Sequence, residues 1–200
     1  MTDSILWYAT RGAGIVSLLM LTGVVGLGVL SALRWQSPAW PRFLTAGLHR
    51  NLALLAVVFL VAHIVTAVID PFTALGPLAA IVPFAASYRP LWLGLGVVAF
   101  DLLLALVATS LLRVRIGHRA WRAVHWLGYA AWPVSLLHGI GAGSDAAATW
   151  MRALDVLCVA IVAGATAWRA LAARPALTRP PVGRAWLGSA PTTGTHGREH

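Results

Sequence analysis

Four histidines are spaced as a ligand set. His49 and His63 are 14 residues apart, and His125 and His138 are 13 apart, each pair within a long apolar stretch. At about 1.5 Å per helical residue, 14 residues rise roughly 21 Å, most of the depth of a bilayer core of about 30 Å. With one further span between them, the two helices run in the same direction. His49 is then level with His125, and His63 with His138. Two layers of facing imidazoles suit b-type haem, whose iron takes one axial imidazole from each of two facing helices. Two haems stacked this way make an electron route through an insulator. A lone histidine is more simply explained as lining a wet cavity or bridging two helices, but intramembrane ionisable groups are rare and usually functional, and four at matched depths favour haem. Two other readings stay open: a histidine-lined metal-ion transporter, weakened by the scarcity of pathway carboxylates, and a structural membrane subunit of a larger complex. His118 falls in a basic connection, and His196 and His200 in the C-terminal segment, where solvated roles are expected.

The elements that must hold these residues are legible from hydropathy. Of 200 residues, 59% are hydrophobic and 10% charged, and the mean hydropathy is +0.78. A soluble domain carries about 25% charged residues, so neither a disordered chain nor an ordinary soluble globule fits. Five apolar runs are long enough to span: residues 5–33, 48–69, 91–112, 121–140 and 151–172. The expectation is an all-α integral membrane protein, a five-helix transmembrane bundle over residues 1–172 with a flexible cytoplasmic tail over 173–200. The N-terminus lacks a basic leader and Arg11 interrupts its apolar run, so the first run reads as a retained helix. Residues 71–89 are apolar but broken by Pro71, Pro77 and Pro83, and are expected to cap the outer face.

Net charge is +9 with no lysine. The arginines cluster at alternate connections: Arg34, Arg42 and Arg50; then Arg113, Arg115, Arg119 and Arg122; then the C-terminal group from Arg169. This is the positive-inside pattern and not a phosphate-binding face, so no nucleic-acid partner is expected. It sets the N-terminus outside and the C-terminus in the cytoplasm of a bacterial plasma membrane, with lipid as the surrounding partner. The single cysteine, Cys158, excludes an intrachain disulfide and a CxxC site.

With this pattern the chain resembles the transmembrane domain of the ferric reductase and NADPH oxidase family. The resemblance rests on Leu48-His49-Arg50-Asn51, Ala62-His63, Val124-His125-Trp126 and Leu137-His138-Gly139, and covers about residues 5–172. It is also similar to membrane-only bacterial members, among them the haem subunit of periplasmic methionine-sulfoxide reductase systems. The resemblance implies two b haems, His49 with His125 on the inner iron and His63 with His138 on the outer. The family usually has six spans; five are counted here, and the missing one would precede the first. No GxGxxG follows a strand, so nicotinamide chemistry is expected on another protein. The donor is expected to be a soluble flavoprotein or ferredoxin-like protein at the cytoplasmic side. The acceptor would be ferric iron, a quinone, oxygen or an extracytoplasmic reductase partner. The chain would thus be the electron-transfer subunit of an oxidoreductase.

Several residues are candidates for supporting such haems. Arg11 can pair with the outer propionates, a role the family resemblance favours, or snorkel to headgroups. Trp132 is expected at mid-membrane between the haems. Phe59, four residues before His63, is expected to pack on a porphyrin; core packing explains either residue equally. Gly14, Gly23, Gly26 and Gly28 read as a packing surface, as do Gly128 and Gly139 beside ligands. Asn51 or a backbone carbonyl could fix an imidazole. Asp101 is expected near the centre of its span as a neutral, hydrogen-bonded acid or a proton carrier, and Asp155 could pair with Arg152 or Arg11. One conflict stands out. Over 13 residues an ideal helix turns His138 about 140° away from His125, and Pro133 between them is expected to kink the helix or loosen its register.

Overall fold

The computed structural model describes residues 2–33, 40–71 and 75–172. It is helical throughout, with no strand among the described residues. In chain order the helices are α1 (Thr2–Ala32), α2 (Arg42–Ile69), α3 (Pro90–Leu111), α4 (Arg113–His125), α5 (Gly128–Ala142) and α6 (Thr149–Ala172), with a short 3-10 turn at Pro77–Ala80 before α3. The C-terminal segment 173–200, expected as a tail, lies outside the described residues.

Prolines set the boundaries. Pro41 stands extended immediately before α2, and Pro90 opens α3, where a missing N–H costs nothing. Asp70-Pro71 closes α2, because the residue before a proline is pushed out of helical geometry. Four helices are long and apolar enough to cross a bilayer: Ile5–Ala32, Arg42–Ile69, Pro90–Leu111 and Thr149–Ala172. The expected fourth span, 121–140, is instead divided between α4 and α5. The third connection, expected as a basic loop, forms the first part of α4, and Gly117 breaks that helix at φ 80°. Only glycine enters that region without steric cost.

Packing follows the apolar faces. α2 lies along α1, α3 lies along α5, and α1 also meets α5 and α6. Leu18 and Leu21 of α1, Trp132 and Leu136 of α5, and Cys158 and Val162 of α6 form the buried core. The Trp132 indole donates to Thr22 Oγ1 at 2.9 Å, and that hydroxyl donates to the Leu18 carbonyl at 2.8 Å. Within a bilayer such contacts act through van der Waals fit and satisfied polar groups, not through exclusion of water. No comparable backbone packing joins α2 to α5.

The connection between α2 and α3 folds against the end of the bundle that carries His138. Arg89, in the left-handed region at φ 42°, donates from its guanidinium to the Gly141 carbonyl at 2.8 Å. Phe84 lies over Gly94 of α3, where no side chain stands in its way.

Candidate functional site

The histidines face one another in two layers. The His49 and His125 ring centres are 6.2 Å apart with planes at 64°. Those of His63 and His138 are also 6.2 Å apart, with planes at 77°. The pairing expected from sequence is therefore the pairing in space, and all four rings are partly buried.

The rotational conflict on the second helix resolves at the join of α4 and α5. Trp126 and Leu127 keep right-handed backbone angles, so the chain winds on through the join. It winds more tightly than an α-helix: Leu127, Tyr129 and Ala130 donate to Val124, Trp126 and Leu127, three residues back, at 2.9, 3.1 and 2.9 Å. At about 120° per residue instead of 100°, three such steps add roughly 60° and cancel part of the mismatch, while Trp126 and Ala131 keep four-back bonds to Arg122 and Leu127 at 3.2 and 2.8 Å. Pro133, inside α5, contributes no donor to the ladder. Overwinding at the join, together with Pro133, turns His138 back toward the face of His125.

Three of the four rings are fixed by backbone carbonyls on a neighbouring helix. His49 Nδ1 donates to Val24 at 3.0 Å, His63 Nδ1 to Thr10 at 2.7 Å, and His138 Nδ1 to Trp92 at 2.9 Å. A carbonyl only accepts, so each neutral ring carries its proton on Nδ1 and leaves the Nε2 lone pair free. Asn51 is exposed and plays no part in this. His125 differs. Its Nδ1 is buried with no hydrogen-bond partner among the described residues. Trp121 stacks on it at 4.9 Å and 26°, with the indole donating to Ser110 Oγ at 3.3 Å.

The other candidates fall as follows. Arg11 forms an ion pair with Asp145 and lies over the Trp7 ring at 4.2 Å. Neither Arg11 nor Arg152 reaches Asp155: Arg152 donates to the Ala146 carbonyl at 3.4 Å, and Asp155 Oδ1 is buried without a partner among the described residues. Trp132 sits in the core against α1 and α6, bonded to Thr22, which lies between the Thr10 and Val24 levels of α1. Phe59 is partly buried on α2, and Asp101 is exposed midway along α3. Tyr129 accepts from Arg169 at 2.6 Å. Sequence reading missed the Arg11–Asp145 pair and the stacked Trp121; it expected a backbone carbonyl as one acceptor for the imidazoles without saying which. Glycines were the available signal: Gly14 and Gly28 are 14 apart on α1, the spacing of His63 and His49 on antiparallel α2.

Charge divides by end. The His49 and His125 end carries Arg42, Arg50, Arg113, Arg115, Arg119 and Arg122, all exposed. At the other end Arg11 is paired with Asp145 and Arg89 is engaged by Gly141. No cluster of three or more histidine, cysteine or carboxylate side chains able to hold a metal ion occurs among the described residues. Each histidine pair is a two-nitrogen site.

A family model described as the ferric reductase like transmembrane component matches residues 13–136. The match includes His49, His63 and His125 and ends two residues before His138. No curated protein and no solved structure matches.

Proposed function

We propose, since this chain belongs to the ferric reductase-like transmembrane family, that it carries electrons across the bilayer on two haems b, each held by two histidines. The all-α, multi-pass membrane architecture and the family together point to transmembrane electron transfer. One observation carries the finer reading: the equal separation of the two ring pairs. Two metal–imidazole bonds of about 2.0–2.1 Å, plus roughly 1.1 Å from each Nε2 to its ring centre, put the centres about 6.2–6.4 Å apart. Both pairs measure 6.2 Å. Two protein nitrogens per site leave the other coordination positions to a planar macrocycle.

His49 and His125 would hold the inner haem, and His63 and His138 the outer. Haem bound there supplies one-electron redox chemistry at two depths in the membrane. The chain's part is to present unprotonated Nε2 atoms, which the bonds to Val24, Thr10 and Trp92 favour at three positions. Arg11 follows Thr10, whose carbonyl holds His63, and so stands beside the outer pair; its guanidinium would bind propionates in company with Asp145. Trp132 would lie at mid-depth between the two haems and Phe59 against the outer one, each doubling as packing.

In this reading the chain crosses five times. The fourth crossing runs through the α4–α5 join, over about 22 residues or roughly 33 Å from Trp121. The arginine-rich end faces the cytoplasm, which sets the N-terminus outside and the C-terminus inside. A bacterial plasma membrane is the expected setting. The basic inner face suits an acidic soluble flavoprotein or ferredoxin-like donor, and ferric iron, a quinone, oxygen or an extracytoplasmic reductase would take the electron. The test is a pyridine haemochrome count and reduced-minus-oxidised spectrum on the purified protein. Two low-spin b haems per chain are expected; none after expression with ample haem would overturn the reading.

A further inference from the structure

The three carbonyl acceptors share a feature that neither hydropathy nor the ligand pattern requires. Four residues after each stands a glycine: Thr10 and Gly14, Val24 and Gly28, Trp92 and Gly96. In an α-helix the carbonyl of residue i points at the N–H of residue i+4, and the Cβ of i+4 leans back toward the N-terminus over that bond. A side chain there covers the outward flank of the carbonyl. A glycine leaves it bare, so that the oxygen's second lone pair can accept from another helix. The imidazoles occupy that space. A Cβ on Gly14 would stand 2.9 Å from His63 Nδ1, and one on Gly96 2.7 Å from His138 Nδ1. At Gly28 the contact is looser, 3.4 Å to His49 Cε1. Gly12 and Gly26, two residues away on α1, have nothing within 4 Å. The device therefore belongs to particular glycines and not to a generally small-residue face.

The fourth histidine lacks it. Fourteen residues beyond Gly96 on α3 stands Ser110, and the carbonyl four residues earlier, Leu106, accepts from Thr109 Oγ1 at 3.3 Å. Ser110 Oγ instead receives the Trp121 indole, whose ring lies on His125.

We propose that Gly14, Gly28 and Gly96 are positioning residues: each bares the carbonyl four residues before it, which locks His63, His49 and His138 with Nδ1 protonated and Nε2 free. His125 is set by stacking on Trp121 alone, so the two sites are unequal, one with both rings locked and one with a single locked ring. The consequence for metal binding rests on the two-haem reading; the tautomer assignment does not.

The experiment is 15N NMR of histidine-labelled, full-length protein as purified, reduced so that any low-spin haem is diamagnetic, with haem counted on the same samples. Iron at Nε2 by itself keeps the proton on Nδ1 of every ring, so the reading is the hydrogen bond made by that proton, seen as a downfield shift and slow exchange with water. Wild type should show hydrogen-bonded Nδ1 protons on His49, His63 and His138 and not on His125. Gly14→Ala should displace His63 from that state, and Gly96→Ala should displace His138. Gly28→Ala should act weakly and Gly28→Val strongly on His49. Gly12→Ala and Gly26→Ala should change nothing. Gly14→Ala and Gly96→Ala, on different helices, should weaken retention of the same haem ten- to a hundredfold, and Gly28→Val that of the other. Fewer than three hydrogen-bonded Nδ1 protons in wild type overturns the proposal without recourse to any variant, as does equal response of Gly12→Ala and Gly14→Ala. A wild-type protein with three locked rings and no haem would overturn the cofactor reading and leave this one standing.

Discussion

At the scale of single residues, the site is a set of protonation and charge choices. On the two-haem reading each histidine pair acts as a unit, since one imidazole without its partner would offer the iron a single bond. His63→Ala and His138→Ala are each expected to remove one of two haems and leave the other. The double replacement should be no worse than either alone, because the first already empties the site. Haem counts on the three proteins check this. Arg11, paired with Asp145, follows Thr10, whose carbonyl holds His63, so on the two-haem reading the pair sets a local charge balance near the outer haem. A unit charge about 10 Å from a redox centre, at an effective dielectric near 20, is worth about 1.7 kcal/mol or roughly 70 mV. Solvent screening of this partly exposed pair reduces that to a few tens of millivolts. Asp145→Asn leaves Arg11 uncompensated, favours the reduced form and should raise the outer midpoint potential. Arg11→Gln should lower it, with the inner haem moving less in both; a redox titration reads both. The four histidines were legible because histidine is conspicuous in hydrocarbon. Which carbonyls hold them was not, because a backbone oxygen carries no sequence identity of its own.

At the scale of elements, helix winding decides whether the second pair of histidines meets. The 14-residue spacing on α2 needs no adjustment, since it is close to four turns. The 13-residue spacing needs adjustment, which the tightened turns between Val124 and Ala130 supply in part and Pro133 adds to. One alanine inserted after Leu127 would turn everything beyond it by about 100°. Loss of the His63–His138 haem with retention of the His49–His125 haem is the expected result, and a spectrum with both intact would refute the winding argument. The division of the fourth expected span has the same origin. Arg113–His125 is amphipathic and basic, and its first part, 113–120, is helical where hydropathy alone reads a connection. Its first part is exposed, with arginines at 113, 115 and 119, which is how a helix lying at a headgroup surface is built.

At the scale of the whole molecule, function depends on which end faces which compartment. The sole cysteine is buried, so it can be replaced by alanine and single cysteines placed at Ser144 and His118 for labelling. In oriented cells an impermeant maleimide should label position 144 from outside and position 118 only after lysis; the reverse would invert the topology. The arginine-rich end also predicts how donors dock. Replacing Arg113 and Arg119 by glutamine should slow haem reduction by an acidic donor at low salt. The difference should vanish at high ionic strength, where the Debye length falls to a few ångströms.

The sequence by itself determined the membrane class, the helical architecture, the four histidines and their pairing, because hydropathy and a 1.5 Å rise convert residue numbers directly into depth. Depth is a one-dimensional property of a helix, and counting suffices for it. Rotation about the helix axis and contact between helices are not. They depend on local winding, on which face a neighbour covers and on where a missing Cβ lets a ring approach a carbonyl. The tertiary structure therefore decided how His138 turns toward its partner, and that Arg11 is held by Asp145. It also decided that three imidazoles, and not the fourth, are fixed by bare carbonyls on α1 and α3.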